Sequence, residues 1–284
     1  MAFPTRLGRL HARITGAGPT VVAWPSMFVD GHTFDGMIPA LARDRRLVVV
    51  DGPGLGLSDP LPRRSAISEA AAAARDVIGA LDAGPVDWIG HAFGGHVGLK
   101  LAQHEGVLRS LVAVSAPTES IDDALRRQIR LLLPIVRTVG ARGPIPGVVR
   151  KAMLTDASAA RPEVRAVVDA SLARPTRRSL ALAIGSFILD RVDVTGELGR
   201  IRVPSLFVAS DDRGDWSPEA ARAAAALSPL ARSVTISGAR TLVPLEQPER
   251  LAAVITEFWA PAGRAIPFGT DGSANVSTRH RWLR

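Results

Sequence analysis

The chain has 284 residues, a net charge of +8, no cysteine and no tyrosine. Without thiols there is no disulfide framework and no thiolate chemistry, and no apolar run reaches the length of a membrane span, so no membrane partner is expected. The start, Met1-Ala2-Phe3-Pro4-Thr5-Arg6, lacks the basic-then-apolar shape of a signal peptide, and a cytoplasmic location is expected. The length suits one large α/β domain with an insertion. The charge is uneven: residues 117–200 carry 14 basic and 9 acidic side chains, and residues 261–284 carry 4 and 1. All the basic residues except Lys100 and Lys151 are arginine. The plain reading of this excess is solvated helix faces; the functional one is an anionic ligand or partner. No recognised nucleic-acid motif accompanies it, so no nucleic-acid partner is expected.

In chain order, strands are expected at 10–14, 20–24 and 46–51, from alternating or continuous apolar runs. An alanine-rich helix is expected over 65–81, with Ser65 or Ser68 as its N-cap. An apolar run then stops at Gly90, and a helical pattern resumes after Gly94-Gly95, which makes a strand, a tight turn and a helix. Another strand follows at 108–114. From Thr118 to about Asp193 the pattern turns helical, over 126–139, 164–172 and 178–189. Pro134 is expected to kink or split the first of these, and the run Gly140, Gly143, Pro144, Pro146, Gly147 to end it. Strands return at 205–209 and 233–236, and a helix over 248–259 closes the pattern. Residues 261–284 read as a flexible basic tail.

The turn Gly90-His91-Ala92-Phe93-Gly94 resembles the nucleophile elbow G-x-S-x-G of the α/β-hydrolase superfamily. Gly52-Pro53-Gly54-Leu55-Gly56-Leu57-Ser58 looks like the D-x-P-G-x-G-x-S loop of that superfamily, entered from Asp51. The segment Gly238-Ala239-Arg240-Thr241-Leu242-Val243-Pro244-Leu245-Glu246-Gln247-Pro248-Glu249 is similar to its G-A-G-H-x-x-P-x-E-x-P-E. These landmarks occur in order over residues 8–260. The likeness is to capped, enol-lactonase- and esterase-like members. It implies an α/β-hydrolase fold, a mostly parallel central sheet flanked by helices, with an α-helical cap insertion. It divides the chain into a core segment 1–117, a cap 118–193, a second core segment 194–260 and the tail 261–284.

The chemistry implied by the resemblance is altered at its centre. The elbow serine is replaced by Ala92, and Thr241 stands where the triad histidine belongs. A serine esterase needs both. The acid falls on Asp211, Asp212 or Asp215, with Asp212 favoured. The family's oxyanion donors map to the backbone N–H groups of Met27 and Phe93, which no side-chain change removes. The expected function is therefore non-hydrolytic work on a carbonyl-containing small molecule, by cyclisation, isomerisation or elimination in an enzyme of lyase, isomerase or cyclase type. A non-catalytic ligand-binding protein and a hydrolase with Ser26 as relocated nucleophile are the alternatives. Asp212, Asp211, His91 and His32 are the catalytic candidates. Met27, Phe93, Ala92, Ser26, Thr241 and Trp216 are expected to border the ligand, and His96 to be half-exposed. Asp51 and Ser58 read as structural. Nothing clusters as metal ligands and no dinucleotide fingerprint appears, so neither metal nor cofactor is expected.

Overall fold

In a computed structural model, which describes residues 1–212, 214 and 216–260, eight strands form one sheet. They are β1 (Ala2–Thr5), β2 (Gly8–Thr15), β3 (Thr20–Trp24), β4 (Arg46–Val50), β5 (Val86–His91), β6 (Leu108–Val114), β7 (Ser205–Ser210) and β8 (Ala231–Ile236). Their spatial order is β1-β2-β4-β3-β5-β6-β7-β8. The pairs β1–β2 and β2–β4 are antiparallel and all the others parallel. Successive residues of the central strands face opposite sides. Val22, Trp24 and Trp88 join one buried cluster; Val21, Ala23 and Ile89 join the other.

Helices cover both faces. The short α1 (Ile38–Leu41) follows a 3₁₀ turn at Gly31–Met37, and α2 (Ile67–Ala80) and α3 (Phe93–Leu101) flank β5 in sequence. Between β6 and β7 lie α4 (Asp123–Val139), α5 (Ile145–Met153), α6 (Asp156–Ala160), α7 (Pro162–Ala173) and α8 (Arg177–Ile184). A π-helical turn at Gly185–Leu189 and a 3₁₀ turn at Thr195–Arg200 complete that insertion. The core ends with α9 (Pro218–Ala226), α10 (Val243–Glu246) and α11 (Pro248–Trp259). Among the described residues no helix is long and apolar enough to cross a membrane.

Several elements differ from the sequence expectation. Strand β1 was not expected; it forms an edge hairpin with β2. Helix α4 runs unbroken through Pro134 and starts earlier than expected, because the Asp122 carboxylate accepts from the N–H groups of Ala124 and Leu125. Helix α5 forms where glycines and prolines suggested only a break. Pro146 lies in its first turn, where the missing N–H costs nothing. Helix α2 is capped at Ala66, not at Ser65 or Ser68, with Glu69 accepting the Ala66 N–H at 3.0 Å. The expected tail 261–284 lies outside the described residues.

Candidate functional site

Strands β4 and β5 lie on either side of β3, so the chain leaves β3 and β5 in opposite directions across the sheet. Parallel sheets open a crevice at the carboxyl ends of strands at such a point. Ser26 and Met27 follow β3 there, and Ala92 follows β5. Ala92 has φ 46° and ψ −103°, a strained conformation for a residue with a Cβ. The turn is held from both sides: the Ala92 N–H donates to the Val114 carbonyl at 2.7 Å, and its carbonyl accepts from His96 N–H at 3.0 Å.

Close backbone approach sets the glycine spacing. A Cβ on Gly90 would sit 2.1 Å from the Gly94 carbonyl oxygen, and one on Gly94 would sit 2.1 Å from the Trp24 carbonyl oxygen. Helix α3 thus starts hard against β3 and β5, with its first N–H groups at the crevice. Among the described residues, no acceptor takes the backbone N–H of Met27 or of Phe93. The Phe93 ring stacks on Phe187 of the π turn, with centroids 4.3 Å apart, and so joins the elbow to the insertion.

Above the elbow is a cavity of about 540 Å³, within the usual size range of small-molecule sites. Ser26, Met27, Ala92, Phe93 and Thr241 form its floor, and α4, α5 and the π turn supply apolar walls, among them Ile129, Leu133, Met153 and Phe187. The polar lining includes His96, Gln128 and Arg191. Ser26 and Thr241 are buried, and neither hydroxyl has a hydrogen-bond partner among the described residues.

The other expected site residues lie elsewhere. Trp216 does not border the cavity; it is buried against Phe207, with ring centroids 5.4 Å apart. His32 is outside the lining and hydrogen-bonded to Asp30 at 2.9 Å, and Asp30 also pairs with Arg174 of the insertion. Asp211 is exposed and accepts the Gly238 N–H. Asp212 pairs with Arg240 at 3.1 Å. Asp215 lies outside the described residues. Arg240 also donates to the Lys151 carbonyl at 2.6 Å, while the N–H groups of Thr241 and Leu242 both donate to the Met153 carbonyl. The segment expected to present a triad base therefore fastens α5 to the core.

His91 points away from the cavity. Its Nε2 donates to the Thr241 carbonyl at 2.7 Å, and burial pushes it down to about 4, so it is neutral. A carbonyl only accepts, so Nε2 carries the proton. His96 is the lining histidine that sequence reasoning passed over. It was expected to be half-exposed, yet it is buried, because the segment at Pro117 covers it and takes an Nε2–H bond at 2.8 Å. Burial first and the Arg191 charge second push His96 down to about 3. Asp51 and Ser58 are structural: Asp51 accepts from Gly31 and Leu57 N–H, and Ser58 donates to the Asp51 carbonyl.

Both histidines stay neutral when folded and protonate near 6.5 when unfolded. The unfolded chain therefore binds more protons below that pH, and stability must fall as pH drops from 6.5 toward 4 and 3. Each histidine contributes a slope of about 1.4 kcal/mol per pH unit within its window. Urea unfolding at pH 7, 6 and 5 should show the loss, and His96→Gln should flatten it. A profile unchanged by either histidine substitution would contradict this assignment.

The fold and the elbow define the class of protein, and comparison with known proteins agrees. The family model described as "Alpha/beta hydrolase family" matches residues 10–254, and the chain belongs to that family. It is similar to the pimeloyl-[acyl-carrier protein] methyl ester esterase of Xanthomonas oryzae pv. oryzae, with 28% identity over 88% of this chain and 99% of the relative. It also matches part of the polyketide synthase ThaQ of Burkholderia thailandensis, with 32% identity over 89% of this chain and 12% of the synthase. Among solved structures, the enol-lactonase of Burkholderia xenovorans LB400 has the same fold, with TM-score 0.83, 20% identity and coverage of 91% and 99% of the two chains. A thermophilic esterase from Thermogutta terrifontis superposes with TM-score 0.82 and 22% identity, covering 91% and 97%.

Proposed function

We propose that this chain binds an apolar, carbonyl-containing small molecule beneath a helical cap and converts it without hydrolysis, by cyclisation, isomerisation or elimination. The carrying observation is Ala92. The elbow, with its strained backbone, presents a methyl group where the family's nucleophile attacks. The N–H groups of Met27 and Phe93 remain without protein acceptors. Aimed at a bound carbonyl, they stabilise an enolate or oxyanion as charge develops, aided by the N-terminus of α3. Thr241 at the histidine's place leaves a degenerate triad, with Asp212 neutralising Arg240 instead of orienting an imidazole. The relatives' names point to acyl compounds as the substrate class.

A specific observation also favours a non-catalytic binding protein: burial pushes His91 down to about 4 and His96 to about 3, so both imidazoles are weak bases, far from the match to pH 7 that general-base catalysis wants. The Ser26 alternative lacks support of this kind, since no described imidazole bonds its hydroxyl.

Incubation with 3-oxoacyl N-acetylcysteamine thioesters, followed by calorimetry and mass spectrometry, separates the readings. Conversion to an isomeric or dehydrated product supports the enzyme. Saturable binding with the thioester recovered intact supports the binding protein. In either case Ile129→Trp, which fills the cavity wall, should weaken binding by about tenfold or more, equivalent to about 1.4 kcal/mol. Unaltered affinity in that variant would remove the cavity as the binding site.

A further inference from the structure

Helix α4 has three sectors along its 17 residues. Ile129, Leu133 and Val136 line the cavity. At 100° per residue, Arg127, Arg130 and Arg137 fall together away from that face. All three are exposed, and none has an acidic partner among the described residues. Between the two sectors Leu131, Leu132, Ile135 and Val139 are exposed, Leu131 at 76%. Of the ten exposed large apolar side chains among the described residues, six lie on α4 and α5. That concentration marks an interaction surface, not scattered surface residues. The patch is also continuous with the cavity, because Leu125, Leu132 and Val148 are exposed and line it as well.

We propose that the outer face of α4 docks on an anionic lipid surface, with the cavity mouth turned toward it. Two copies meeting through this face would set their arginines against each other, which disfavours a second chain. An acidic protein would answer the arginines but leave the apolar ridge to be matched separately. An anionic bilayer answers both: its headgroups pair with Arg127, Arg130 and Arg137, and its acyl boundary receives Leu131 and Ile135. An apolar ligand then reaches the cavity past Leu132 and Val148 without crossing water. This reverses the expectation of no membrane partner, which followed from the lack of a spanning segment; the contact proposed is with the surface alone.

The test is co-sedimentation of the full chain with sucrose-loaded vesicles, either phosphatidylcholine alone or phosphatidylcholine with phosphatidylglycerol. Binding is expected to the anionic vesicles only, and to weaken with salt. Arg130→Gln and Arg137→Gln should each lower it about fivefold. Leu131→Ser and Ile135→Ser should lower it further while thermal melts stay unchanged, since both side chains are exposed. Absence of binding to anionic vesicles overturns the proposal, as does equal binding by wild type and variants. A native-gel shift with apo acyl carrier protein, with no vesicle binding, overturns it in favour of a protein partner. A concentration-dependent dimer lost in Leu131→Ser, with no vesicle binding, overturns it in favour of a second copy. No ligand is present in the assay, so its result is independent of the chemistry proposed for the cavity.

Discussion

Wild-type protein is expected to show no saturable hydrolysis of p-nitrophenyl acetate. Removing the serine or the histidine of a triad costs about 10⁶ in kcat, and removing both costs little more, because they act as a unit. What survives is roughly 10³–10⁴ over water, supplied by the oxyanion donors and binding. Here Ala92 offers no hydroxyl, and the residue at the histidine's position, Thr241, has its backbone fixed by Met153 and His91. Ala92→Ser alone should therefore stay inactive, since Thr241 cannot take the serine proton as the triad imidazole does. Ala92→Ser with Thr241→His should recover only part of the activity. Its imidazole would look for a carboxylate, and Asp212 is already engaged by Arg240. Robust wild-type hydrolysis abolished by Ser26→Ala would defeat the non-hydrolytic reading and make Ser26 the nucleophile.

Much of the fold was legible because its signals are local. The apolar run stopping at Gly90 and the glycines after Ala92 announce a turn, and the structure shows why only glycine fits at positions 90 and 94: backbone oxygens lie where a Cβ would be. The continuous apolar runs of β3 and β4 announce strands buried on both faces. Helix α5 was missed because Pro144 and Pro146 were counted as breakers, although proline suits a first turn. Pro134 is the same kind of case: α4 carries it without splitting.

The site was legible where sequence landmarks fix it: after β3, at the elbow, and at Thr241 in the segment 238–249. Met27, Ala92 and Phe93 line the cavity, as their positions beside β3 and β5 implied. His96 was undervalued because its burial depends on a segment 21 residues away, at Pro117. Trp216 was overvalued because an aromatic near an expected acid loop looks like pocket lining, whereas its ring packs on Phe207. The Arg240–Asp212 pair joins residues 28 positions apart, and no local pattern foretells it. Nor does hydrophobic periodicity divide the apolar side of α4 between a cavity and the solvent. That division depends on what α4 packs against, namely α8 and the π turn.

Gly94→Ala should destabilise the protein by about 3 kcal/mol or more, the upper end of overpacking costs. The added methyl would lie 2.1 Å from the Trp24 carbonyl oxygen and 2.7 Å from its carbonyl carbon. Neither is a flexible side-chain end that can swing aside. Relief requires α3 to back away from β3, and that strains the bond that Trp88 Nε1–H donates to the Gly94 carbonyl, now 3.0 Å. It would also shift the Phe93 N–H, so ligand binding should weaken in whatever fraction remains folded. Gly79→Ala provides the contrast. Gly79 lies in the exposed last turn of α2, with nothing within 4 Å of a new Cβ. There alanine removes only unfolded-state freedom and should stabilise by about 0.5–1 kcal/mol. Urea unfolding of the two variants beside wild type measures both effects. A Gly94→Ala protein within 1 kcal/mol of wild type, on the scale of overpacking costs, would mean that α3 does not start against β3 as described, and the placement of Phe93 above the crevice would fall with it.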